Sequence, residues 1–144
     1  MEKLKFDSGM RSYRVGEGVL RFNPGDPNVY ARFMEAAEQI RDVEQELRQQ
    51  AQELTGADAG TAAVRLMEQA DKKMKALLNR VFGGSNDFDQ LLQGINLLAV
   101  ADNGERVITN LFAALEPVLV EGAKRCAAQT AQAAVAKAQA RRAC

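Results

Sequence analysis

The chain has 144 residues, of which 47% are hydrophobic and 26% are charged, and this is the composition of one globular domain rather than of a disordered chain. The 19 Lys and Arg residues balance 19 Asp and Glu residues. A dedicated nucleic-acid binder usually carries a positive excess that neutralises phosphates, so zero net charge argues against that class. The chain contains no histidine, which removes the most common general base and zinc ligand. We therefore expect no enzyme activity, no metal site and no cofactor.

No apolar run is long enough for a signal peptide or for a membrane span, which needs about 20 residues. The two cysteines, Cys126 and Cys144, both lie in one Ala-rich segment at the C-terminus. A disulfide framework would instead place paired cysteines across the fold. These features predict a soluble protein in a reducing cytoplasm.

The first 22 residues alternate between apolar and polar side chains, which is typical of strands with one buried face. The apolar positions of this pattern are Leu4, Phe6, Tyr13, Val15, Leu20 and Phe22. Turn-forming residues separate the runs at 7–9 and at 16–18. We expect a small antiparallel meander of two or three strands in residues 1–22, packed on the rest of the domain.

Residues 27–82 predict an antiparallel helical hairpin. Asp26 is a good N-cap and Pro27 suits the first helical position. From there an apolar stripe at helical spacing continues to about Leu54, and a second stripe extends from about Thr61 to Phe82. The short loop between the two stripes favours antiparallel packing of the helices.

Residues 86–125 predict a short helix followed by a long apolar helix. The short helix is capped by Asn86 or Asp87 and closed by Gly94. The apolar run 95–101 fits either a further helix or a buried strand, because periodicity does not decide for so short a run. A turn at 102–104 then precedes the final helix.

The final helix is predicted to begin near Glu105 and to kink at Pro117. Residues 126–144 are rich in Ala and Gln, basic, and without an apolar stripe, so we expect an exposed helix or a disordered tail there. No aromatic residue interleaves with the basic ones, and we expect no nucleic-acid or membrane partner. The overall prediction is one globular domain over 1–125 in a mainly α fold with a small N-terminal β-hairpin or meander (α+β).

Three short motifs resemble chemical sites but have a structural explanation. Asp87 and Asp89 lack companion oxygens for a hard cation, and a capped helix start explains them. The glycines at 83–84 lack the Lys and Ser or Thr of a phosphate loop. Cys126 has no base beside it and is interpreted as a small packing or surface residue.

Several sequence blocks resemble the tail assembly chaperones of long-tailed phages and prophages of Gram-positive bacteria. The first is Arg21-Phe22-Asn23-Pro24-Gly25-Asp26-Pro27-Asn28, followed by Arg32-Phe33 in the helix. Further blocks lie at 81–84, 88–97, 99–104 and 110–115, in the same order as in that family. The resemblance extends from about Phe6 to about Arg125 and leaves the C-terminal tail unmatched.

The resemblance implies a non-enzymatic protein of the host bacterial cytoplasm that binds the long helical tape measure protein. It would keep this partner soluble until tail tube subunits polymerise around it, so the tube protein is a second expected partner. Such a chaperone then leaves and is absent from the mature virion. Because zero net charge removes self-repulsion, we also expect a homo-oligomer.

The most apolar part of the chain is the expected partner-binding surface. We predict that Leu97, Leu98, Val107, Leu111, Phe112 and Leu115 line a groove for partner helices. An alternative of a different class is a phage-encoded inhibitor or adaptor that binds a host defence protein, since small helical proteins without catalytic motifs also serve that role.

Overall fold

The computed structural model describes residues 1–143, which contain two strands and four helices. These elements are β1 (Arg11–Val15), β2 (Gly18–Phe22), α1 (Pro27–Gln52), α2 (Ala59–Phe82), α3 (Phe88–Leu91) and α4 (Val107–Ala143). The predicted fold class is confirmed, with an N-terminal antiparallel hairpin, a helical hairpin and a C-terminal helix. Among the helices described, none is both long and apolar enough to cross a membrane.

The sheet is a two-stranded hairpin in which Tyr13 pairs with Leu20. The possible third strand is absent: Leu4 and Phe6 belong to an irregular, exposed segment. On the outer edge of β2, the side chain of Asn86 accepts a hydrogen bond from Arg21 N at 3.0 Å and donates one to Arg21 O at 2.8 Å. Those backbone groups are therefore already paired and do not recruit another strand at that point.

Helix α1 begins as its sequence predicts. Asp26 accepts a hydrogen bond from Asn28 N at 2.9 Å, and Pro27 occupies the first turn. The helix ends at Gln52, two residues before the predicted end. Its buried stripe consists of Val29, Phe33, Ala36 and Ile40. Helix α2 packs antiparallel along it and completes the predicted helical hairpin.

Helix α3 is capped by Asp87, which accepts a hydrogen bond from Asp89 N at 3.0 Å, and Gly94 adopts a φ of +77° after it. Residues 95–101 form neither the helix nor the strand considered for them, apart from one bridge between Val100 and Arg106. Polar side chains satisfy much of this backbone instead. Asn96, for example, accepts a hydrogen bond from Leu98 N at 2.8 Å.

A buried cation fastens this irregular segment to α2. Lys75 is 4% exposed, and its Nζ lies 2.9 Å from Asp71 Oδ2 and 2.7 Å from Asp89 Oδ1. Asp71 also accepts a hydrogen bond from Leu97 N at 2.8 Å. Burial disfavours the charge of the ammonium, but its hydrogen bonds to Asp89 and Asp71 outweigh that cost and raise the pKa of Lys75 above its ordinary value of 10.5.

Helix α4 continues without interruption from Val107 to Ala143 and so includes the basic tail; Cys144 lies outside the described residues. Pro117 lies inside the helix, and the kink expected there stays a prediction. Gly122 is buried where α4 crosses the turn before α1, and a Cβ at this position would overlap the carbonyl oxygen of Pro24. The two backbones approach as closely as they do because residue 122 has no side chain.

We expect Asp71→Ala to lower the free energy of unfolding by about 3–5 kcal/mol, because it leaves a buried ammonium with one solvent-facing partner and an unpaired Leu97 N–H. Asp89→Ala is the matched control. Its carboxylate is largely exposed, so we expect a loss of about 1 kcal/mol or less. Urea unfolding followed by circular dichroism measures both values, and equal losses would contradict the assignment of Asp71 as the main partner.

We expect Gly122→Ala to destabilise the fold by about 1–3 kcal/mol through overpacking against Pro24. The same change in an uncrowded helix usually stabilises by up to about 1 kcal/mol. Gly60→Ala in α2 is the control, because a Cβ there meets no atom within 4 Å. The melting temperature should therefore fall for Gly122→Ala and rise for Gly60→Ala. A higher melting temperature for Gly122→Ala would rule out the close contact between α4 and Pro24.

Candidate partner-binding groove

An apolar groove of about 370 Å³ lies between the β-hairpin and the first half of α4. Its apolar lining consists of Tyr13, Val15, Phe22, Leu92, Val107, Leu111, Ala114, Leu115 and Val118. Arg14, Gly16 and Asn110 complete the lining. The volume lies in the range of ordinary ligand pockets, and the mixture of many apolar walls with few polar groups is typical of such sites.

Helix α4 supplies the longest wall of this groove. Its lining residues from Val107 to Val118 recur at three- and four-residue spacing, which places them on one face of the helix. Leu111 and Leu115 are buried at the base of the wall, whereas Ala114 is exposed at its edge. The wall extends over 11 residue steps, or about 16 Å along the helix axis.

The opposite wall comes from β1. Tyr13 and Val15 are two residues apart in the strand and therefore project from the same face. The ring of Tyr13 stacks on Phe22 of β2 with a centroid distance of 5.0 Å. Phe22 in turn contacts Phe82 of α2 edge-on at 4.8 Å, so this wall rests directly on the core.

Leu92 contributes to the groove from the end of α3. This helix lies against the β-hairpin, where a Cβ at Gly18 would come within 2.6 Å of the Leu91 side chain. The ion pair of Lys75 with Asp89 holds the other side of α3 to α2. The glycine and the buried lysine together fix the position of Leu92.

The structure places the six residues predicted to bind a partner in two groups. Val107, Leu111 and Leu115 line the groove. Leu97 and Leu98 are 0% and 3% exposed and belong to the core, so they do not line it as predicted.

Phe112 also points away from the groove, because its ring packs on Phe33 of α1 with a centroid distance of 5.2 Å. The apolar groove lining also includes residues that the prediction does not name, which are Tyr13, Val15, Phe22, Leu92, Ala114 and Val118. Two sequence patterns could have indicated some of these residues. They are the alternation of apolar residues in β1 and the three-residue step from Leu115 to Val118 in α4.

The charged groups at the groove give it a weak electrostatic preference. Among the described residues that line the groove, Arg14 carries a charge, and Asn110 offers a side chain that can form hydrogen bonds. An apolar ligand with a neutral or acidic flank therefore fits this surface best. No protein-family model, no curated protein and no solved structure matches the chain, so the geometry of the groove carries the functional argument.

We expect Ala114→Glu to weaken binding of the dye ANS, which has apolar rings and a sulfonate, to the groove about 5-fold or more, because an unpaired carboxylate at an apolar surface costs about 1–3 kcal/mol. Ala113→Glu adds the same charge at the neighbouring exposed position of α4, outside the groove lining. Fluorescence titration of both variants, each checked for wild-type circular dichroism, measures the difference. Equal dye binding by the two would place the apolar surface elsewhere.

Proposed function

We propose that this chain is a phage tail assembly chaperone that binds apolar helical segments of the tape measure protein in the groove between the β-hairpin and α4. The observation that carries the proposal is the groove itself, which leaves apolar side chains of β1, α3 and α4 accessible to a ligand after the domain has folded. The resemblance of the blocks from Arg21 to Leu115 to that family supports the choice of partner.

The dimensions of the groove suit a short stretch of helix. The wall from Val107 to Val118 matches about three helical turns of a client that lies alongside α4. Helix-in-groove recognition uses anchors at i, i+3 or i+4, and i+7, which are spaced along one face of the ligand helix. A tape measure protein offers such faces repeatedly along its length, so one chaperone surface serves many segments of the client.

The chemistry of the groove suits temporary protection rather than permanent assembly. Because the contact is mainly apolar and small, it shields a client face from water without committing it to one partner. Tail tube subunits that enclose a much larger surface of the same helix would displace the chaperone. The proposed cycle ends with a free chaperone in the host cytoplasm and a filled tail tube.

Co-expression with the tape measure protein of the phage or prophage that encodes this chain tests the proposal. We expect the wild-type chain and the Ala113→Glu variant to raise the soluble yield of the tape measure protein. Ala114→Glu should lose that effect, because it places a charge in the binding surface while it leaves the core unchanged.

The proposal fails if the wild-type chain leaves the tape measure protein insoluble, or if Ala114→Glu protects it as well as Ala113→Glu does. A pull-down from host lysate serves as the second arm of the experiment. Stoichiometric capture of one host defence protein, with no tail protein bound, would favour the inhibitor or adaptor alternative instead.

A further inference from the structure

The zero net charge of the chain conceals a division into two oppositely charged parts. Residues 1–121 contain 14 Lys and Arg and 19 Asp and Glu, a net charge of −5. Residues 122–144 contain 5 Lys and Arg and no acidic residue, a net charge of +5. A charge distribution of this kind favours contact between the acidic part of one molecule and the basic part of another.

Much of the excess negative charge lies on the far half of the helical hairpin. We define the arm as residues 42–68, which carry 6 acidic and 2 basic side chains. Between Ile40 and Ala70 no residue of the arm is fully buried. The apolar seam of the arm consists of half-buried residues, namely Val43, Leu47, Leu54, Ala63, Leu66 and Met67. Two helices alone leave this seam open to a third.

The positive charge lies on the C-terminal half of α4. We define the tail helix as residues 127–142, all of which are exposed. Its Ala-rich sequence favours helix formation, and its small side chains allow another helix to approach closely. Lys137, Arg141 and Arg142 supply the charge of its final turns. A single exposed helix of 16 residues is only marginally stable in water, so it gains from docking.

The geometry of α4 keeps the tail helix away from the arm of its own molecule. Phe33 of α1 packs on Phe112 of α4, whereas the turn at Pro24 and Gly25, just before α1, lies against Gly122. Helices α1 and α4 therefore run antiparallel. The arm leaves the core at one end and the tail helix leaves it at the other, so only a second molecule brings the two together.

We infer that the tail helix of one copy packs along the acidic arm of a second copy and covers its open apolar seam as a third helix. The contact joins different surfaces of the two molecules. It therefore forms twice in a reciprocal dimer, or once per neighbouring pair in a head-to-tail ring or filament. It uses neither wall of the groove and is independent of the proposed client. Because the charges are exposed, high salt weakens the assembly.

Sedimentation velocity of the full chain, under reducing conditions and at low salt, tests this contact. We expect the wild-type protein to form assemblies that revert to single chains as the salt concentration rises. Glu46→Lys, Glu53→Lys and Asp58→Lys combined in the arm should abolish assembly, as should Lys137→Glu, Arg141→Glu and Arg142→Glu combined in the tail helix. An equimolar mixture of the two variants should restore a complex. Within each variant the arm and the tail helix carry charge of the same sign, whereas between the two variants an arm and a tail helix carry opposite charges.

That mixture yields a heterologous pair in which the reversed tail meets the reversed arm, or the native tail meets the native arm. The matched control reverses Glu17, Asp102 and Glu105, which are exposed and lie outside the arm, and we expect assembly to persist. A wild-type chain that stays single at low salt overturns the inference. So does assembly that survives arm reversal, or a single-chain protein whose tail helix binds anionic vesicles or nucleic acid instead.

Discussion

The close approach of α4 to the turn before α1 determines where both surfaces of this molecule lie. Gly122 lets the helix backbone touch the carbonyl of Pro24, and this contact sets the crossing of α4 on α1. With that crossing fixed, the residues before Gly122 face the β-hairpin and the core, and the residues after it extend into solvent. One glycine thus divides a 37-residue helix into a packed half and a free half.

The packed half depends on a second constraint, which is the buried ammonium of Lys75. Its two carboxylate partners come from α2 and from α3, and Asp71 also holds the backbone of Leu97. A segment without regular secondary structure is in this way attached to the core by polar contacts at defined distances. Leu92 of the groove wall directly follows α3, the helix that this ion pair connects to α2.

The elements with strong periodicity were predictable from the sequence, and those organised by single polar side chains were not. The caps at Asp26 and Asp87 and the stripes of α1 and α2 are local signals, and the structure has them within two residues of the predicted bounds. Residues 95–101 have no regular period; Asn96 accepts a hydrogen bond from Leu98 N within the segment, and Asp71 of α2 accepts one from Leu97 N. Apolarity alone selected Leu97 and Leu98 for a partner, whereas apolarity marks burial as readily as binding.

The side chain of Asn86 has a consequence for how the protein behaves at high concentration. The outer strands of a short sheet expose unpaired backbone amides and carbonyls. These groups can pair with strands of other molecules and so promote aggregation. Asn86 bonds both backbone groups of Arg21 and so acts as a one-residue substitute for a neighbouring strand. At Arg21 the protein therefore closes its own sheet edge with a side chain, and that point of β2 is not available to pair with a strand of another molecule.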